Sequence, residues 1–566
     1  MFPRRIDPGQ PAPTDLPASP DRPPRRPRTG IAAFLTALSA AGVLAAATAA
    51  GASTGHTAAH PADHKAGLIP GDLLVSTSSY TNDPDIVAGK TQLPPGSSSA
   101  VTAIANGDYP YVFNNVTVDP SFGVASRLSL QEITPEGRKA ALLKVPSNDL
   151  VTSFSSKSEG ALNLSANGKD VTFMGYVDTP GAIDASNGNT PGVIDPTNPV
   201  PGTDFRAVAQ LSQNGTFTFT ETNAYSGNNG RAAVDANVNG KDYIYTAGNA
   251  GNGSNPQPDG VILGAGTQII TPSSLPESLQ KPGTPTPVGS FSVAQLGDKA
   301  DKVGKDDNFR GLTLFDNVLY YTKGSGSNGV NTVYFLDTTG KACPDGVGLP
   351  QPGAKLPTTA LSFDEATLQS GGLPSNMCVL KGFPTALAKG ATDASDYPFG
   401  IWFANPDTLY VADEGAGDNT YAGGSYTAAA ASTTAGLQKW VFDKATGQWT
   451  LAYTLQDGLN LGTPYTVHGY PTGINSVTGL PWAPATDGLR NITGRVNPNG
   501  TVSIWAVTST VSGGGDQGAD PNKLVEISDP VAASAPAPRE AFTTVMPARS
   551  GQVVRGVSFT PGSHVR

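Results

Sequence analysis

Two strand-like stretches at opposite ends of the chain lack partners among their own neighbours, and this constrains the fold more than any other feature. VVRGVSFTPG, Val553 to Gly562, reads as the first strand of a unit with nothing after it. GDLLVSTSSY, Gly71 to Tyr80, reads as a second strand with nothing before it, and SRLSLQEIT and KAALLKV follow. Joined, they make one four-strand unit from both ends of the chain. Such a unit closes an array of sheets into a ring and leaves no large sheet edge exposed.

The rest of the chain repeats the same unit. FRGLTLFDN, VLYYTKGS, NTVYFLDT and MCVLKGFP form one copy. PFGIWFAN, TLYVADEG, LQKWVFDK and WTLAYTLQ form the next, and LRNITGRVN, TVSIWAVTS, KLVEISDP and FTTVMPAR a third. Upstream lie GRAAVDANV, DYIYTAGN, TQIITP and GSFSVAQL, preceded by GALNLSANG, DVTFMGYVD, RAVAQLSQN and TFTFTETNA. In each copy the first strand opens on Arg or Gly with a small residue, and the second is the most apolar. Runs of β-branched and aromatic residues bounded by Gly, Asn, Asp and Pro are strand and turn signals. The pattern predicts an all-β fold, a single β-propeller of six four-stranded blades. The long insertions leave room for a seventh.

TLYVADEGAG followed by LQKWVFDK resembles NHL repeats and the wider group of six-bladed propellers, and the chain is similar to secreted bacterial propeller proteins. The resemblance is clearest over residues 397–455; elsewhere it is one of strand pattern. It implies a ring with a central channel lined by first strands. It does not fix an activity, because one fold hosts many functions.

The domain reading starts with a basic, Pro-rich segment, residues 1–30. Next comes an apolar run, Ile31 to Ala52, flanked by Arg22, Arg25, Arg26 and Arg28 and followed by small residues. This is the layout of an export signal. An uncleaved anchor is the alternative, since about 20 apolar residues can span a bilayer. Residues 53–68 read as a linker and 69–566 as the propeller. Either fate of the leader places the chain outside the cytoplasm, secreted or anchored at the outer face of the membrane. In an oxidising compartment Cys343 and Cys378 are expected to form a disulfide, worth about 3–4 kcal/mol for a loop of about 35 residues.

Net charge is −10, so nucleic acid is not an expected partner, because its affinity comes from Lys and Arg neutralising phosphates. Four of the six first strands carry an arginine: Arg231, Arg310, Arg490 and Arg555. Their shared position predicts a cluster at one channel mouth. Arginine presents a planar fork that grips carboxylate and phosphate, so the cluster is a candidate anion site. Equally, the arginines could pair with nearby acids and hold the ring together. Asp307, Asp396, Asp413 and Asp487 are candidate ligands for calcium, a hard cation that takes six to eight oxygens. Neither acidic loop follows the EF-hand pattern. Of five histidines only His468 falls where a propeller site is built. Two functions stay open. One is a binding platform for a small molecule, glycan or protein. The other is a calcium-assisted hydrolase, lactonase- or phosphatase-like, at the channel mouth. A monomer is expected for a ring closed by its own ends.

Overall fold

The computed structural model describes residues 67–81, 123–249, 266–273, 308–359, 377–386 and 396–564, with short interruptions, and a few isolated positions and two-residue strands outside them. The chain divides into two units, Met1–Thr54 and Gly55–Arg566, and the first lies outside the described residues. So do the leader Ile31 to Ala52 and the acidic loop holding Asp307.

Six antiparallel sheets carry the fold. In blade 1 the C-terminal strand Gln552–Phe559 is innermost, followed outward by Leu73–Ser79, Ala125–Ile133 and Lys139–Lys144. Blade 2 runs outward from Asn163–Leu164 through Asp170–Tyr176 and Arg206–Ser212 to Thr216–Thr222. Blade 3 runs from Gly230–Val238 to Ser290–Phe291, and blade 4 from Leu312–Phe315 to Met377–Leu380. Blade 5 runs from Pro398–Asn405 to Gln448–Leu455, and blade 6 from Ala485–Val496 to Thr543–Pro547.

Val75 pairs with Val557 and Leu73 with Phe559, so the two ends of the propeller share one sheet. Thr560 and Ser563 continue the clasp, with the Gly71 N–H donating to Ser563 Oγ at 2.8 Å. The six inner strands touch in an unbroken circuit, from Gln552–Phe559 through blades 2, 3, 4, 5 and 6 and back. The chain is a six-bladed β-propeller.

Each seam between neighbouring blades holds one buried apolar cluster, so the core is six wedges. Successive side chains of a strand point to opposite faces, and a middle strand therefore feeds two seams. Leu409 and Val411 pack toward blade 4, while Tyr410 between them packs toward blade 6. This is why the second strand of each repeat is so apolar: both its faces are covered. The small residue after the first-strand arginine has an equally direct cause. A Cβ on Gly311 would stand 1.9 Å from the Phe399 carbonyl of the next blade. At the equivalent Gly400 it would stand 2.5 Å from the Arg490 carbonyl. Inner strands approach so closely that a side chain there has no room.

Cys343 and Cys378 form the expected disulfide, with Cα atoms 5.8 Å apart, and tie the last blade 4 strand to the connection before it. Two features depart from the repeat. His60–Pro61, in the predicted linker, pairs with the outer strand of blade 2. The connection after Asp413 folds into a two-strand hairpin and a short helix, Thr427–Ala431.

Candidate functional site

Arg231, Arg490 and Arg555 lie within inner strands, and Arg310 just before one. All four are buried, between 2% and 8% exposed. Arg310 and Arg555 meet one connection, at Phe154 and Ser156 to Gly160, which leads from blade 1 into blade 2, and Arg490 is linked to it through Glu414. Arg555 of blade 1 donates to the carbonyls of Phe154 and Ser156. Arg310 of blade 4 donates to Ser158 Oγ at 3.0 Å. The Lys157 ammonium lies 3.8 Å from Glu414 at the edge of blade 5. Glu159 accepts from the Tyr176 hydroxyl of blade 2 and from Asn229, which leads into blade 3, at 3.0 Å. A connection between two adjacent blades thus meets groups from blades 4 and 5 on the far side of the ring. Ser158 and Glu159 are fully buried.

Arg231 reaches the same network through the start of blade 4. It donates to Asn308 Oδ1 and to the Phe309 carbonyl at 2.8 Å. Asn308 lies against the Ser325 carbonyl, and Ser325 Oγ accepts from Arg310. Arg490 donates from Nε to Glu414 Oε2 at 3.1 Å. Glu414 is the one described carboxylate in ion-pair contact with these cations. Burial pushes its pKa up, but Lys157, Arg490 and Arg310 outweigh that and hold the carboxyl below its ordinary value. Arg231 has no such partner, and burial followed by the nearby Arg310 charge draws its pKa well down. Glu159 goes the other way: burial raises its pKa against the hydrogen bonds from Tyr176, Asn229 and Ser153.

Of the candidate calcium ligands, Asp413 and Asp487 accept from backbone N–H groups and Asp396 from a side-chain amide. Asp413 accepts from the N–H groups of Tyr397 at 2.7 Å and Gly415 at 2.9 Å. Gln438 Nε2 lies 3.3 Å from both Asp413 and Asp396. Asp487 accepts from Gly417 N–H at 2.8 Å. Burial pushes Asp413 up to about 7 and Asp487 to about 6. No three of the described acids bring oxygens together closely enough to hold a cation. The only ligating group among the described residues is Asp337 with Cys343 and Cys378, whose sulfurs are joined to each other. Asp337 itself caps a turn through Thr339 and Ala342. Among the described residues Asp396, Asp413 and Asp487 form no cluster of three ligating oxygens, and Asp307 lies outside the described residues.

His468 lies apart from the arginines. It is exposed and lines a cavity of about 690 Å3 between blades 6 and 1, beside Tyr465, Lys523, Arg549 and Lys139. Sequence reasoning left out these three cations, and it left out Lys157, Ser158 and Glu159. One signal for this connection was present. Blade 2 lacks the first-strand arginine, and the polar run Lys157-Ser158-Glu159-Gly160 stands at that point.

The sequence matches no protein-family model and no curated protein. Solved structures with similar strand arrangements include a GH43_1 enzyme from Xanthomonas citri, 10% identical over 70% of this chain and 94% of that one, with a TM-score of 0.28. CoXyl43, a GH43 β-xylosidase/α-arabinofuranosidase from a compost microbial metagenome, is 10% identical over 68% and 94%, with a TM-score of 0.26. A family AA12 protein of Trichoderma reesei is 11% identical over 80% and 98%, with a TM-score of 0.26. Overlaps this loose carry no assignment of activity. The fold rests on the strand pairings and the closed circuit themselves, and the NHL resemblance stays a likeness of strand pattern.

Proposed function

We propose that the chain is an exported, non-catalytic binding propeller. It takes its ligand, a small molecule, glycan or protein, on the rim loops and blade seams and not in the axial channel. One observation supports this reading: the connection from blade 1 to blade 2, at Phe154 and Ser156 to Gly160, reaches across the ring and engages Arg555, Arg310 and Glu414, so the first-strand arginines are met by the chain itself. Two of the acids that a calcium-assisted hydrolase would use, Asp413 and Asp487, accept from backbone N–H groups. Export is supported by the basic and apolar N-terminal layout and by the disulfide, which suits an oxidising compartment. N-terminal sequencing of the mature chain tests that part.

The binding reading is tested by melting the purified chain with millimolar calcium and with a chelator, alongside a panel of lactones and phosphoesters. The expected result is one melting temperature in both conditions and no turnover. Calcium-dependent turnover that disappears in Glu414→Gln or Asp413→Asn would overturn it in favour of the hydrolase.

A further inference from the structure

The cavity at the seam of blades 6 and 1 exists only because the ring closes there. Its polar side carries Lys139 from the outer strand of blade 1, Lys523 and Arg549 from blade 6, and His468 from the connection into blade 6. No aspartate or glutamate lines it, in a chain whose net charge is −10. Among the described residues no carboxylate forms an ion pair with Lys139, Lys523 or Arg549. A second cavity of about 160 Å3 shares Lys139 and Arg549 and continues the groove along the closing sheet to Ser129 and Gln131.

Lys139 and Arg549 are exposed, whereas Lys523 is held in place. The Lys523 ammonium sits 3.6 Å from the centre of the Tyr465 ring. The ring is held in turn by its hydroxyl, which donates to the Pro521 carbonyl at 2.8 Å. Lys523 is half-buried, and that burial draws its pKa below the ordinary value with no acid to offset it. An ammonium placed over an aromatic face and partly stripped of water still needs a counter-charge. Val467 and Met546 supply an apolar wall beside it. The volume lies in the range of small-molecule sites, about 300–1,000 Å3.

We infer that the groove between blades 6 and 1 binds a small organic anion, its carboxylate or phosphate held by Lys523, Arg549 and Lys139 and its apolar body laid against Val467 and Met546. This deepens the binding-propeller reading and rests on it only in placing the ligand outside the channel. Three cations across one groove suit one or two anionic groups. They are too few for a polymer such as nucleic acid on a chain this acidic.

The test uses the full chain and three probes with the same body: 2-naphthoate, 2-naphthyl phosphate and 2-naphthol, titrated by calorimetry. At least one anion binds ten-fold or more tightly than the neutral alcohol, and which anion wins separates carboxylate from phosphate ligands. Lys523→Gln weakens that anion about ten-fold and leaves 2-naphthol unchanged. Arg549→Gln, at an exposed position, gives a second variant that does not depend on packing around Tyr465. Equal binding of all three probes, no binding of either anion, or indifference to both substitutions would each overturn the inference. Release of fluorescent naphthol from the phosphate ester would instead count against the non-catalytic reading while leaving the anion preference as measured.

Discussion

At the channel mouth, arginines from blades 1, 3, 4 and 6 are buried and meet carbonyls, hydroxyls and a single glutamate. At the seam of blades 6 and 1, three cations line open space and meet no carboxylate. The difference follows from the cost of removing charge from water. A buried cation without a partner costs several kcal/mol, so a buried cluster persists only when the chain itself supplies the partners. A cation at an open groove keeps much of its water and can wait for a partner from outside. The buried first-strand arginines therefore brace the ring from within, while Lys139 and Lys523 at strand starts and the exposed Arg549 line the candidate groove.

That contrast can be broken most sharply at Glu414. Glu414→Ala leaves Arg490 and Lys157 without their carboxylate, and loss of one partner of a buried pair costs about 3–5 kcal/mol. Urea unfolding measures it, and a loss below about 1 kcal/mol would mean that the mouth is wet and accessible. Reducing the Cys343–Cys378 bridge, which lies in neither region, is expected to cost about 3–4 kcal/mol without changing ligand binding at the seam.

The acids beside the mouth sharpen the comparison through pH. Asp413, near 7, and Asp487, near 6, both titrate above the ordinary aspartate value in the folded chain. The folded state thus holds protons that the unfolded chain has released. Their contribution to stability is full below about pH 4 and is lost as pH rises through 6 and 7. Glu414, held low, acts oppositely: its contribution is present above the ordinary glutamate range and lost on acidification. Asp487→Asn should flatten the decline between about pH 4 and 6 and stabilise the chain at pH 8 by about 1–2 kcal/mol. An unchanged pH profile would place that carboxylate in solvent. The smallest effect is expected at the seam. Lys523→Gln should shift unfolding by no more than about 1 kcal/mol, because the contact with the Tyr465 ring is lost but no carboxylate partner is. A larger loss would make that lysine structural, like the arginines.

Much of the architecture could be read from local text. The alternation in TLYVADEG and TVSIWAVTS, and the Gly, Asn and Asp turns between runs, specify strands because their physics acts over a few residues. Closure was legible from Leu73–Ser79 and Gln552–Phe559, each incomplete alone. The positions of Arg231, Arg310, Arg490 and Arg555 were legible too, but their partners were not. Arg310 meets Ser158 across 152 residues, and Arg555 meets Ser156 across 399. No pattern in either stretch announces the other. That Asp413 accepts from the Tyr397 N–H and Asp487 from the Gly417 N–H was not legible, because those donors lie 16 and 70 residues away.

The amino-acid order by itself determined the repeat, the strands that close the ring and the cysteine pair, since each follows from local periodicity or simple counting. Only the tertiary structure decided that the blades number six and not seven, that Ser156 and Ser158 meet Arg555 and Arg310, that Glu414 is the acid paired with Arg490, and that Lys139, Lys523 and Arg549 share one groove. Those outcomes depend on which side chains from distant blades are driven into the same low-dielectric space, and a ring settles that only when it shuts.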